Sequence, residues 1–219
     1  MNILKDNTER SKKLIEILKV SLWVNIVMLP LYIWQYFIYS KYNFDPLLDS
    51  WELYPEGYDE PVFDIVLGIT AIIYTVVFII CMVRFIKWFR RAYFNIKAAG
   101  LNIDNSESAA AWSWFVPIYN WFAPYQIMKE VWVKTQKTYT ENIKPANNLI
   151  GVWWGTWVIT SIIESQIDGI GSSLLGENLE AVAIISIISS ALLVWSNYLV
   201  IEVVEKVSVF EKAMFSNQK

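Results

Sequence analysis

Four stretches without a charged residue dominate the hydrophobic pattern: Val20–Ser40, Ile65–Val83, Pro145–Ile163 and Ala181–Ile201. Each is close to the roughly 20 apolar residues a helix needs to cross a bilayer. The pattern therefore predicts an all-α integral membrane protein with four transmembrane helices, at about residues 20–40, 62–85, 147–167 and 181–204. The first window is too long for a signal-peptide core and no small-x-small cleavage site follows it, so it reads as a retained helix, bent or capped near Pro30. Residues 1–19 then form an N-terminal arm, 86–146 a long loop and 205–219 a tail. In the arm, Leu4, Leu14, Ile15 and Leu18 alternate with charges, as in a solvated and partly frayed helix.

Polar positions fix the orientation. Every Lys and Arg except Lys41 falls in the arm, the long loop with its edge at Arg84, or the tail. The opposite loops carry Asp45, Asp49, Glu52, Glu56, Asp59, Glu60, Glu177 and Glu180. By the positive-inside rule both termini and the long loop are cytoplasmic, which in a bacterium means the inner face of the inner membrane. The acids of the outer loop have irregular spacing that matches no calcium loop, so no metal site is expected there.

The second apolar window continues into the loop as a helix. Phe85, Trp88, Phe89, Ala92, Tyr93 and Ile96 recur at three- and four-residue spacing, with Lys87, Arg90, Arg91 and Lys97 between them and Gly100 as a C-cap. A basic amphipathic helix of this kind suits anionic headgroups, with Arg90 and Arg91 as candidate contacts. Asp104–Glu107 has the form of a capping box opening a short helix over 106–115, which Pro117 closes. Asn120 would cap the next helix, with Pro124 in its first turn. Tyr125, Met128, Val131, Trp132 and Tyr139 would form its apolar face, and Lys129, Glu130, Lys134 and Lys137 its polar one.

The segment between, Trp112 to Trp132, is as aromatic as a span but interrupted by Pro117 and Pro124. It predicts two amphipathic helices lying in the interface, in preference to dipping into the bilayer as a re-entrant hairpin packed on the bundle. Trp112, Trp114, Phe115, Pro117, Asn120, Trp121, Pro124 and Trp132 are the candidate lipid- or partner-binding residues. Gly151 and Gly155 form a Gly-x-x-x-Gly pair suited to close helix packing, most simply within the chain. Ser186, Ser189, Ser190, Ser196 and Asn197 form a small polar stripe for helix contacts, and Glu202 and Glu205 sit where they could pair with the basic loop. Glu164 and Asp168 fall at the outer end of the third span.

Several motifs together resemble a bacterial membrane family, domain of unknown function 4328. They are Phe89-Arg-Arg-Ala-Tyr-Phe-Asn95 leading to Gly100, the Trp114–Pro124 run, Met128-x-Glu-x-Trp132 and Trp153-Trp-Gly-Thr-Trp157. The resemblance covers about residues 62–204 and implies a four-span membrane domain with no established activity to carry over.

Composition narrows the function classes. The chain has 55% hydrophobic and 18% charged residues, too apolar for an ordinary soluble domain of 219 residues. It has no His, and its one Cys lies in an apolar run, so the commonest general base, thiolate clusters and internal disulfides are absent. No nucleophile turn or phosphate-binding glycine loop is present, so neither an enzyme nor a cofactor is expected, and a net charge of −3 argues against nucleic acid. All four windows are uncharged through their centres, unlike transporter helices with midplane ionisable groups. Two readings remain. One is an anchor or platform presenting an aromatic, basic face to membrane lipids, anionic ones among them, or to a membrane or cytosolic protein. The alternative is a homo-oligomeric pore assembled through Gly151, Gly155, Ser186 and Ser190.

Overall fold

The computed structural model describes residues 3–42, 57–146, 148–168 and 179–217, apart from the side chains of 166–168. The acidic loop around Trp51 and Tyr54, the Asp168 side chain and Glu177 lie outside the described residues. Every regular element among those residues is helical. Three helices are long and apolar enough to span a membrane: α1 (Thr8–Lys41), α2 (Pro61–Ala98) and the last, Leu179–Ser216. Between them come α3 (Ala109–Trp112), a 3₁₀ turn at Tyr119–Trp121, α4 (Ala123–Lys137) and α5 (Leu149–Asp168). The last helix is α6.

In order across the bundle, α2 packs on α1, α1 on α6, and α6 on α5, so α2 and α5 are the flanks. Only 11% of the apolar window of α2 is buried inside the chain. Ile65, Ile69, Ile72, Val76 and Ile79 are all exposed along it, a surface that water would not tolerate and lipid would.

The arm and the tail are not separate from the spans. The first helix starts at Thr8 and runs through Pro30 to Lys41, while α6 continues to Ser216. The expectation of a solvated, frayed arm is corrected, because Leu14 and Leu18 are buried against the extended ends of α2 and α6. The reason is that α2 and α6 also overrun their apolar windows, giving the arm a wall to pack on. Trp88, Phe89, Tyr93 and Ile96 of α2, and Val203, Val204 and Val207 of α6, are fully buried there. The apolar face predicted for the α2 extension is therefore real, but it meets protein, not headgroups. We call this the basic end of the bundle.

Gly100 ends α2 as predicted. Its φ is 84°, and the Leu101 N–H reaches Ile96 O at 3.3 Å while the Gly100 N–H reaches Lys97 O at 3.0 Å, the paired bonds of a Schellman cap. A Cβ at Gly100 would meet nothing within 4 Å, so only the backbone conformation resists substitution. Gly100→Ala should lower stability by about 1 kcal/mol, read as a shift in thermal unfolding in detergent; no shift would show that this cap contributes little.

Candidate functional site

The loop after α2 folds back under the bundle, and a buried carboxylate holds it. Glu130 of α4 accepts hydrogen bonds from the Tyr93 hydroxyl at 2.5 Å and the Asp104 N–H at 2.8 Å, and pairs with Lys134 one turn on. Lys134 also bonds Asp104 Oδ1 at 3.2 Å and Asn102 O at 2.8 Å. The Tyr93 hydroxyl in turn accepts the Asn105 N–H at 3.0 Å. Burial, then the neighbouring Glu130, raises the Tyr93 pKa, so the phenol stays a donor. Glu130 pairs with Lys134, but the solvated polar face assigned to Glu130 is corrected, since Glu130 is buried. Asp104–Glu107 does not act as a capping box either. Helix α3 begins only at Ala109, and the Ala109 N–H is served by Ser106 while Asp104 turns to Lys134.

A second buried carboxylate ties the chain ends together. Glu211 of α6 accepts bonds from Asn7 Nδ2 at 3.0 and 3.1 Å and from Asn95 Nδ2 at 3.2 Å. Asn95 also closes a pair of bonds with the Lys5 backbone, and Asn7 Nδ2 reaches Trp88 O at 3.2 Å. Burial pushes the Glu211 carboxyl up to about 7, against the bonds from Asn7 and Asn95 that favour the charged form. Sequence reasoning missed this cluster by treating residues 205–219 as a tail. The signal was present: Val203, Val207, Phe210 and Met214 extend the buried stripe, and Glu211 lies on it.

The aromatic candidates divide into two groups. Trp114 is the hub of a ring cluster, edge-on to Phe85 at 5.3 Å, Trp154 at 5.6 Å and Trp157 at 5.9 Å. Trp132 is buried against Phe210 at 5.0 Å, and its indole N–H donates to Lys144 O at 2.9 Å, pinning the chain on its way to α5. Pro124 is buried in the first turn of α4, where a proline was expected. Pro124 and Trp132 are thus corrected from binding surface to internal packing, and Trp114, half-buried, turns in on the ring cluster. The physical cause for the two indoles is that α2 and α5 offer rings to Trp114 and α6 offers Phe210 to Trp132, so each is drawn away from solvent. Asn120 is not the cap of α4 but sits in the 3₁₀ turn, with a buried and unpartnered Oδ1.

The remaining group stays outside. Trp112, Phe115, Pro117, Ile118, Trp121 and Phe122 are exposed, with Phe115 at 62% and Ile118 at 71%. Ile118 has φ 67°, a left-handed conformation that a β-branched residue rarely adopts. The turn is held from both sides, by Trp112 stacked on Tyr119 at 4.9 Å and by the Trp154 indole N–H on Trp121 O at 3.0 Å. A strained turn thus presents apolar side chains at its tip.

Beside that turn lies a basic pocket of about 450 Å³. Lys5, Arg10, Lys87, Arg90 and Arg91 line it with Phe94, and Glu107 is its single acid; Ala111, next to Trp112, forms part of the wall. Arg90 reaches Glu107 at 3.7 Å, Arg10 donates to Lys87 O at 2.7 Å, and Lys5 stands over the Phe94 ring at 4.5 Å. The side chains of Arg91 and Lys87 have no hydrogen bond or ion pair among the described residues. Burial, then repulsion from Arg91 and Arg90, lowers the Arg10 pKa, so the cluster carries unbalanced positive charge. Chemically such a cluster is suited to an anion. Arg90 and Arg91 were legible in the sequence; Lys5 and Arg10 were not, because their approach depends on the arm packing against α2.

The packing candidates behave differently again. Ser190 donates to Asn25 O of α1 at 3.3 Å, and Ser186 is buried on the same stripe, as a helix-contact role requires. Gly151 and Gly155 do not pack closely within the chain: a Cβ would meet only the Tyr125 hydroxyl at 3.8 Å in one case and nothing within 4 Å in the other. Gly151 is exposed and Gly155 half-buried. Glu205 pairs with Lys19 at 3.8 Å and Glu202 with Lys206, so neither reaches the loop. Glu164 accepts from Ser189 at 3.4 Å.

No curated protein and no solved structure matches the chain. Residues 59–208 match the sequence profile of a family described as a domain of unknown function, DUF4328. That region takes in α2, the loop with α3 and α4, α5 and most of α6, and on it the chain belongs to the DUF4328 family.

Proposed function

We propose that the protein is a four-span inner-membrane platform whose cytoplasmic loop engages anionic lipid headgroups. In this reading α5 is the fourth span, both termini are cytoplasmic, and the basic end lies at the inner leaflet. The observation that carries it is the pocket of five basic side chains with one acid, set beside an exposed apolar turn. Phosphate would take the unpaired Arg91 and Lys87, while Phe115, Ile118 and Trp121 enter the acyl boundary. A flat apolar turn without the cations would fit any protein, and cations without the turn would fit any soluble anion; together they favour lipid. The pore alternative has less to rest on, since the serines that would line water are buried within one chain.

Each basic residue near an anionic surface is worth about 1 kcal/mol. Changing both Arg90 and Arg91 to Ala should therefore weaken retention of phosphatidylglycerol by roughly 30-fold. Native mass spectrometry of the full chain from mixed phosphatidylglycerol and phosphatidylcholine nanodiscs reads this directly. Equal retention of the two lipids by the unaltered protein, or no loss in the double variant, would refute the proposal. Trp114→Ala is unsuitable as a test, because it would collapse the ring cluster.

A further inference from the structure

A second cavity, of about 210 Å³, opens among α1, α2, α5 and α6, with Trp114 at its basic-end margin. We propose that it binds a neutral, bilayer-soluble molecule whose planar ring carries hydrogen-bond acceptors, a quinone-type headgroup, entering from the lipid between α2 and α5. The proposal uses the placement of these helices in a bilayer argued above, but not the basic pocket.

The fold leaves this space because α2 packs on α1 and α5 on α6, with no extended backbone packing between the two flanks. They meet at the basic end, where the Phe85 and Trp153 rings are 6.0 Å apart. Farther along, Phe78 lines the cavity and is itself half exposed, so the space is open to the surroundings of the bundle. A molecule dissolved in the bilayer reaches it without crossing a polar barrier.

The lining selects the chemistry. No Lys or Arg contributes to it, and Glu164 does, so a fatty-acid carboxylate or a phosphate finds no cation there to pair with. Phe85, Trp114, Trp153 and Trp157 supply aromatic faces and edges on one side, against which a planar ring gains more than an aliphatic chain does. Hydrogen-bond donors stand unused. The side chains of Ser196 and Asn197 line the cavity and make no hydrogen bond among the described residues. The buried Trp114 indole N–H also lacks an acceptor. In hydrocarbon no water satisfies such groups, so an occupant that accepts hydrogen bonds is favoured over one that only fills space.

The test is saturable binding of decylubiquinone to the full chain in nanodiscs, read by tryptophan quenching and by the mass of the complex. One molecule per chain is expected. Asn197→Leu removes a donor and Ser161→Leu narrows the space; the Ser161 hydroxyl bonds only its own helix at Trp157 O, so that change breaks no tertiary bond. Each should weaken binding at least tenfold, while Ile188→Ala, on an exposed face of α6, leaves it unchanged. Absence of saturable binding, affinity unchanged from the unaltered chain in both cavity variants, or equal displacement by decanoic acid would overturn the assignment. Failure of the phosphatidylglycerol test alone would leave these outcomes intact.

Discussion

Glu130→Ala should lower unfolding free energy by about 3 kcal/mol, the largest effect expected of any single substitution in the loop. The carboxylate is 5% exposed and receives the Tyr93 hydroxyl, the Asp104 N–H and the Lys134 ammonium. Removing it leaves the buried phenol with only a long bond to Asn105 O at 3.4 Å, orphans the Asp104 N–H, and leaves a cation with only carbonyl and Asp104 contacts. Lys134 is 20% exposed and retains access to water, which keeps the cost at the lower end for a broken buried pair. Glu130→Gln keeps an acceptor and should cost less than half as much. Thermal unfolding in detergent, followed by circular dichroism, checks this. A shift no larger than that of Glu107→Ala, whose carboxylate makes only a 3.7 Å surface pair, would contradict the role given to Glu130.

The second large effect is on pH dependence. Glu211 is 4% exposed, and burial raises its pKa from 4.5 to about 7. An acid with a raised folded-state pKa holds its proton more tightly in the fold than in the unfolded chain. Stability therefore falls as pH climbs from about 4.5 to about 7, then levels. The whole change is roughly 3 kcal/mol. Asp6, which raises the value, and Arg91, which lowers it, are the other charges acting on the group. Glu211→Gln removes the titration while its amide oxygen can still accept from Asn7 and Asn95. Its unfolding should lose that slope between pH 5 and 8, and at pH 8 it should be more stable than the unaltered chain. An unchanged slope would assign the pH dependence to other groups.

Hydrophobic windows and charge asymmetry made the long helices and the basic end readable, because both signals are one-dimensional. Gly100 was readable for a similar reason, since its cap needs only local chain geometry. What the sequence could not decide was which of several alike residues turn inward. Trp112 and Trp114 are two positions apart with the same chemistry, yet one stacks at the surface on Tyr119 and the other is enclosed by Phe85, Trp154 and Trp157. That choice depends on where α5 lies. Glu130 was hidden because its spacing put it on the polar face with Lys134, and Glu211 because residues 205–219 read as a tail. Their donors, Tyr93, Asn7 and Asn95, come from positions 37 to 204 residues away. The basic pocket was half visible, with its α2 half in the sequence and its arm half supplied by packing.

The central claim, a basic end at the cytoplasmic face of four spans, turns on whether α5 crosses the membrane. Labelling single cysteines with a membrane-impermeant maleimide in a Cys81→Ser background decides it. With four crossings, Asn217→Cys is shielded in intact cells together with Ser108→Cys, and both react only after permeabilisation. If α5 stays on one side, the chain crosses three times, and Asn217→Cys reacts in intact cells while Ser108→Cys does not. That second pattern would contradict the account.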